Sequence, residues 1–526
     1  MFLLINCYIS VYSAPGSTRE LFAASDSLTT QANKAAKAGR YDIAIAISAE
    51  NVTMLKKKLG GEHDFTAKAL YDLGRFYALR GDWENAWKNA NAAATMWKYL
   101  YDGNNINYAI ALSDAAYYNA RRGNLTYARE DADKSVKLAE TLQCENMECY
   151  GGIVTNYAYT FMFPGEYKLT IETANKALTA IDKNQGPNTE EYSRALSLLA
   201  AATSRTSKNQ DEAIGLAKAA LDIQNRLLPE YNFERALTLN RLCLAHLRKS
   251  DSETALKYGM EAINIWDSLR TVPVEYEDCT WQMAILHNTN RNFEETLRLC
   301  NALIEHSKQA NAVNSLNYAN RLSLAAAALH GLGRDSEAVP LQEKSISVTE
   351  YVKSKEYPSL ISAYYNLARY QLNAGNYKQA VQTQSRSVKI SEKLYKGKKQ
   401  HAEALSRLAA IHGAGGDYAA AVTSQSKSNE LYSSLTDSND FELMTGLNNL
   451  AAYQTRAGMD DAAYATELEM LNRHAEKDTL NKNFVTALNN AAIYAKKIGH
   501  TTEAKELQRR SLKILKRLIC PQRTNI

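Results

Sequence analysis

Apolar and small residues recur along the chain at helical spacing, in runs broken at regular intervals by a polar turn. In one stretch Leu70, Leu73, Gly74 and Tyr77 fall three or four residues apart. Gly81 interrupts, and Ala86, Ala90 and Ala93 then resume the spacing. Such a pattern predicts two short helices, A and B, joined by a tight turn, because glycine enters the left-handed conformation without steric cost.

The same phrase returns through the whole sequence. Gly81-Asp82-Trp83-Glu84-Asn85-Ala86 is echoed by Gly39 to Ala44, Gly123 to Ala128, Gly333 to Ala338, Gly375 to Ala380, Gly416 to Ala421, Gly458 to Ala463 and Gly499 to Ala504. Degenerate copies run from Gly165 to Thr170, Lys208 to Ala213, Ser250 to Ala255 and Arg291 to Thr296. The closing small residues therefore recur every 41 to 43 positions, twelve times. Twelve positions before each stands another small residue, Ala32, Gly74, Ala116, Ala158 and so on to Ala492. A period of this length spanning the chain is the mark of stacked helix pairs. The predicted fold is an all-α solenoid of about twelve helix–turn–helix repeats, some 24 helices, in which each pair buries its faces only against neighbours.

Composition agrees with a nearly all-helical chain. Eight prolines among 526 residues is well under average usage, which is roughly 5%. The charge balance, 62 Lys+Arg against 57 Asp+Glu, lacks the basic surplus of a nucleic-acid binder. The seven cysteines are too thinly spread for a disulfide framework. Cys144 and Cys149 lie close in sequence but have no CxxC or HxxxH partner, so no metal is expected.

The first eighteen residues carry no charge, and Leu3 to Val11 has the length of a short apolar segment ahead of small residues at Ser13 and Ala14. Residues 1–18 fit a signal peptide and hence export, periplasmic or secreted; an apolar N-terminal cap on a cytoplasmic protein is the alternative. The segment is too short to span a bilayer, and no later stretch is a candidate span. The repeats then fill residues 19–519, leaving 520–526 as a tail. Helix B of the last repeat stops at Cys520-Pro521 with no polar capping helix after it. A free solenoid end needs such a cap, so a continuation into an output domain is one expectation.

No catalytic constellation emerges. Gly331-Leu332-Gly333 and Gly413-Ala414-Gly415-Gly416 fall in helix A to helix B turns and lack the strand a phosphate loop requires. His246, His287 and His412 occupy matching places in their repeats, which suits packing better than ligation. The basic run Arg509, Arg510, Lys513, Lys516 and Arg517 forms a charged face of the last helix. No cofactor is expected.

Leu70, Leu73-Gly74, Tyr77, Gly81-x-Trp83, Ala86 and Ala93 resemble the tetratricopeptide signature residue for residue. The period is eight residues longer than the usual 34, about two extra helical turns. That longer form is similar to the repeats of kinesin light chain and of bacterial proteins sharing them. Leu447-Asn448-Asn449-Leu450-Ala451 and Leu488-Asn489-Asn490-Ala491-Ala492 match the helix-A core of those repeats, and Leu59-Gly60-Gly61-Glu62-His63 approximates their linker.

The resemblance implies a right-handed superhelix whose helix-A faces line a concave groove. The residue after the first signature Leu is then expected to point into it: Tyr71, Asn240, Trp281, Tyr365, Asn448 and Asn489. One turn further along stand Arg75, Tyr117, Tyr159 and Arg369. Asparagine can bond both groups of an extended backbone, and arginine and tyrosine can anchor side chains. The expected function is a non-catalytic scaffold that binds a peptide or helix of a partner protein. The alternative is the sensing arm of a larger enzyme or signalling protein with a caspase-like protease or histidine kinase output domain.

Overall fold

A computed structural model of the chain describes residues 16–435, 441–475 and 482–519. Of residues 1–18, expected to be a signal peptide, 1–15 lie outside these residues, Cys7 among them, as does the tail 520–526. Among the described residues there are 24 helices and no strand, in twelve antiparallel pairs from Gly16–Lys37 with Tyr41–Leu59 to Lys482–Lys497 with Thr501–Ile519. None of these helices is long and apolar enough to cross a membrane. The chain divides into two compact units, the first ending at Leu286 and the second beginning at His287.

Within a pair, small residues set the spacing. In repeat 2, helix A (Asp64–Arg80) meets helix B (Trp83–Leu100) at Gly74. A Cβ on Gly74 would stand 3.0 Å from the Ala86 carbonyl oxygen and 3.1 Å from the Ala90 nitrogen. Only a glycine fits without moving the partner backbone. Gly81 ends helix A at φ 87°, and its N–H donates back to the Ala78 and Tyr77 carbonyls. Two degenerate turns keep the conformation without the glycine: Ser250 sits at φ 63° and Arg291 at φ 60°. A residue with a Cβ pays roughly 1 kcal/mol there.

Two polar positions recur inside the packing. Seven residues after the closing small residue, Ser135, Ser345, Ser387 and Ser428 donate to the Ala109, Ala319, Ile361 and Ala402 carbonyls at 2.7–2.8 Å. Each bond ties helix B to helix A of its own repeat. Four residues after the closing residue, Gln342 and Gln384 donate to the Ala363 and Ala404 carbonyls of the next repeat. The equivalent residue in repeat 11 is Glu467, which is 1% exposed.

Candidate functional site

In the first unit the helix-A face folds back on itself. Repeat 6 opens with Asn232 capping helix A, Phe233–Arg248, through its side-chain oxygen. That cap also donates to the Tyr41 hydroxyl of repeat 1 at 3.2 Å. Phe233 meets the Trp83 ring edge-on, with centroids 4.8 Å apart. A Cβ on Gly81 would come within 2.9 Å of the Phe233 ring and 2.8 Å of Thr271 Oγ1, so glycine also permits the contact between repeats 2 and 6.

Behind that contact is a layer of arginines stacked on rings. The Arg121 guanidinium lies 4.9 Å from the Trp83 centroid and 5.2 Å from that of Phe233. It donates in bidentate fashion to Glu275 at 2.7 and 3.0 Å. Despite burial, which opposes ionisation, the Arg121 charge and hydrogen bonds hold the Glu275 carboxyl below its ordinary value. Arg241 donates to Ser197 Oγ at 2.5 Å and to the Tyr159 hydroxyl at 3.3 Å.

The closure leaves a 440 Å³ cavity. Tyr71 donates to Asp114 at 2.8 Å. Asn156 donates to the other Asp114 oxygen at 2.7 Å and accepts from Arg194 at 2.8 Å. Arg194 Nε stands 3.6 Å from Glu234, which also accepts from the Tyr117 hydroxyl at 3.3 Å. Burial, reinforced by the Asp114 carboxylate, pushes the Tyr71 and Tyr118 hydroxyls well above their usual range; burial and Glu234 do the same to Tyr117. These phenols stay protonated, and Tyr71 and Tyr117 act as donors.

The expected groove residues of this unit therefore divide. Tyr71 and Arg75 line the cavity, and Trp281 is half-buried. Tyr117, Tyr159 and Asn240 are only 2%, 1% and 4% exposed. The expectation that these three present a free binding face does not hold in this structure. Their rings and amide are covered by the repeats that close over them. Tyr159 and Asn240 line a separate 230 Å³ cavity with Arg241 and Arg248.

The second unit keeps its helix-A face accessible. Tyr365, half-buried on helix A of repeat 9 (Leu360–Asn373), lies between two guanidiniums: Arg369 at 5.7 Å and Arg407 at 4.9 Å from its centroid. Arg369 is steered by His330, whose Nε2 is 2.9 Å away, while His330 Nδ1 lies 2.6 Å from Asp335. An arginine only donates, so Nε2 must accept and Nδ1 carries the hydrogen toward Asp335. Asn448 and Asn489 are exposed, and Asn489 accepts from Ser511 at 2.7 Å.

One column was not singled out in the sequence. The residue two beyond the first signature Leu gives Asp72, Asp114, Asn156, Arg241, Arg407 and Asn490 in six of the repeats. Aligning the repeats on their closing residues exposes this polar column, one step along from the expected one. Arg194 and Glu234 lie nearer the start of their helices, and no periodic signal marks them.

The family model for the tetratricopeptide repeat matches residues 359–434, which cover the helix pairs of repeats 9 and 10. No curated protein matches the sequence. Among solved structures, the chain is similar to a Podosopora anserina protein described as a kinesin light chain of nearly identical TPR-like repeats. Identity is 20%, over 39% of this chain and 97% of that one, with a TM-score of 0.34. BtubC (BKLC) from P. vanneervenii is 16% identical over 49% of this chain and 94% of that one, TM-score 0.31. The apo form of RapI is 12% identical over 70% of this chain and 98% of that one, TM-score 0.41. The tetratricopeptide model matches at repeats 9 and 10, and the same helix pair recurs twelve times among the described residues, so the fold is an all-α solenoid of tetratricopeptide-like helix pairs with a period of about 42 residues.

Proposed function

We propose that the chain is a non-catalytic scaffold that binds an extended segment or helix of a partner protein on the helix-A face of its second unit. The observation that carries this reading is Tyr365 held between Arg369 and Arg407. A tyrosine presents an apolar ring and a polar tip, and flanking guanidiniums are pre-aimed donors for carbonyl or carboxylate groups. The Asp335–His330–Arg369 chain fixes one of those donors before any partner arrives. Pre-aiming lowers the ordering cost of association. Asn448 and Asn489 hold the place of Tyr365 in repeats 11 and 12 with groups able to pair with peptide backbone.

Capture of the partner by the full chain tests the proposal, repeated with Tyr365→Ala plus Arg369→Ala and with Asn448→Ala plus Asn489→Ala. Loss of the captured protein in the first double variant, and weakening in the second, is the expected result. Undiminished capture by both would place the partner elsewhere.

A further inference from the structure

The cavity of the first unit holds more negative charge than its own residues offset. Five carboxylates line it, Asp114, Glu148, Glu190, Glu191 and Glu234, against the guanidiniums of Arg75 and Arg194. Arg194 is engaged by Asn156 and Glu234. Arg75 lies 3.7 Å from a further carboxylate, Asp72. Glu148, Glu190 and Glu191 enter no ion pair among the described residues, and Glu234 Oε2 is buried without a donor. Glu148 and Glu190 are exposed, so the excess charge is within reach of a ligand rather than locked in the core. Partial withdrawal from bulk water, with the Glu191 charge beside it, raises the Glu190 carboxyl above its ordinary value in spite of Arg75, Arg194 and Lys37.

The remaining walls suit the opposite charge. Tyr71 and Trp83, both half-buried, contribute ring surface, while the Tyr117, Tyr118 and Phe233 rings border the cavity but are 6% exposed or less; ring faces attract cations. The unit already uses these rings in that way for its own residues, with Arg194 5.1 Å from the Tyr117 centroid and Arg121 over Trp83. The volume, 440 Å³, falls in the range of about 300–1,000 Å³ typical of small-ligand sites.

We propose that this cavity binds an organic cation, an alkylammonium or guanidinium group on a ligand the size of a short peptide or polyamine. The cation would sit among Glu190, Glu191 and Asp114 with its aliphatic stem along Tyr71 and Trp83. This site is separate from the partner-binding face of the second unit, and either assignment can fail without the other.

Titration calorimetry on the full chain at low ionic strength decides it. The probes are acetylated, amidated Gly-Lys-Gly and Gly-Arg-Gly, spermidine, and the Gly-Glu-Gly and Gly-Leu-Gly counterparts. At least one cation is expected to bind about tenfold or more tighter than the acidic and apolar peptides. Glu190→Gln plus Glu191→Gln is expected to weaken that binding about tenfold, a change of roughly 1.4 kcal/mol. Glu212→Gln plus Glu253→Gln alters the same charge in the first turns of helix B of repeats 5 and 6, outside the cavity, and is expected to leave affinity unchanged. Binding of the peptides, of spermidine, or of both supports the site and identifies its source of cation. No cation binding, equal binding of Gly-Glu-Gly or Gly-Leu-Gly, or equal loss in both double variants would overturn it. Should the first variant fold poorly by circular dichroism, the ranking of probes on the unaltered chain still decides the matter.

Discussion

The two units use one repeat plan and put it to opposite uses on the helix-A face. In the first, the column that holds Tyr117 and Tyr159 is buried under repeats 5 and 6, and its arginines stack on rings and pair with carboxylates. In the second, the equivalent column holds Arg369 beside a half-buried Tyr365, and the Tyr365 column one turn away carries exposed Asn448 and Asn489 in repeats 11 and 12. The repeat period is the same in both. The difference comes from a few bulky residues at the start of repeat 6, Asn232, Phe233 and Glu234, which reach repeats 1 to 3. A solenoid face is thus open or closed according to what its distant repeats present to each other.

The largest effect should come from removing the closure. Phe233 is 1% exposed and packs on Trp83, so Phe233→Ala is expected to destabilise the first unit by about 3–5 kcal/mol. Tyr365→Ala in the second should cost under about 1 kcal/mol, because a half-buried ring leaves no sealed cavity. Thermal or urea melts monitored separately in each unit would read both; similar losses would break the contrast.

Next comes the Arg121–Glu275 pair, whose arginine side chain is 4% exposed and glutamate 28%. Glu275→Gln is expected to destabilise the first unit by about 3 kcal/mol at neutral pH, since it strands a buried guanidinium. The folded carboxyl titrates below its ordinary value. Its contribution is present above the unfolded value of roughly 4.3 and is lost as pH falls through the lower folded value. The variant should therefore lose less stability on acidification than the parent.

Glu467 in the second unit works with the opposite sign. It occupies the place of the buried glutamines; its Oε1 accepts from Asn490 and its Oε2 has no partner. Burial pushes its carboxyl up to about 7, against the pull of the Asn490 bond. Between roughly 4.3 and that value the folded chain keeps a proton the unfolded chain has released, so stability falls as pH rises through the window. Glu467→Gln is expected to stabilise the second unit by about 2–3 kcal/mol at pH 8 and to change it little at pH 4. An unaltered melting profile at pH 8 would refute this.

The smallest effects concern single bonds and turns. Ser387→Ala removes the bond to the Ile361 carbonyl and should cost about 1 kcal/mol. Ser250→Gly relieves a left-handed turn at φ 63° and should gain up to about 1 kcal/mol, less the added freedom of glycine when unfolded.

The repeats, their turns and the small-residue contacts were legible because each is set by neighbours at fixed sequence offsets. Gly74, for example, reports a helix packing that lies wholly within its own repeat. The burial of Tyr117 was not legible, because it depends on Glu234 arriving from a repeat more than a hundred positions away, and that of Tyr159 depends likewise on Arg194 and Arg241 from repeats 5 and 6. Periodicity shows which residues share a column but not whether another repeat covers that column. The serine and glutamine positions inside the pairs were missed for a different reason. Polar residues on a helix look solvent-facing until the carbonyl that accepts from them is located.

The central claim, a closed helix-A face in the first unit and an accessible one in the second, is tested most directly by hydroxyl-radical footprinting of the intact chain with residue-level mass spectrometry. Tyr365 should be modified readily, while Tyr117 and Tyr159 stay protected until the first unit unfolds, and Phe233→Ala should bring them into reaction. Modification of Tyr117 and Tyr159 in the folded parent at the rate of Tyr365 would contradict the account.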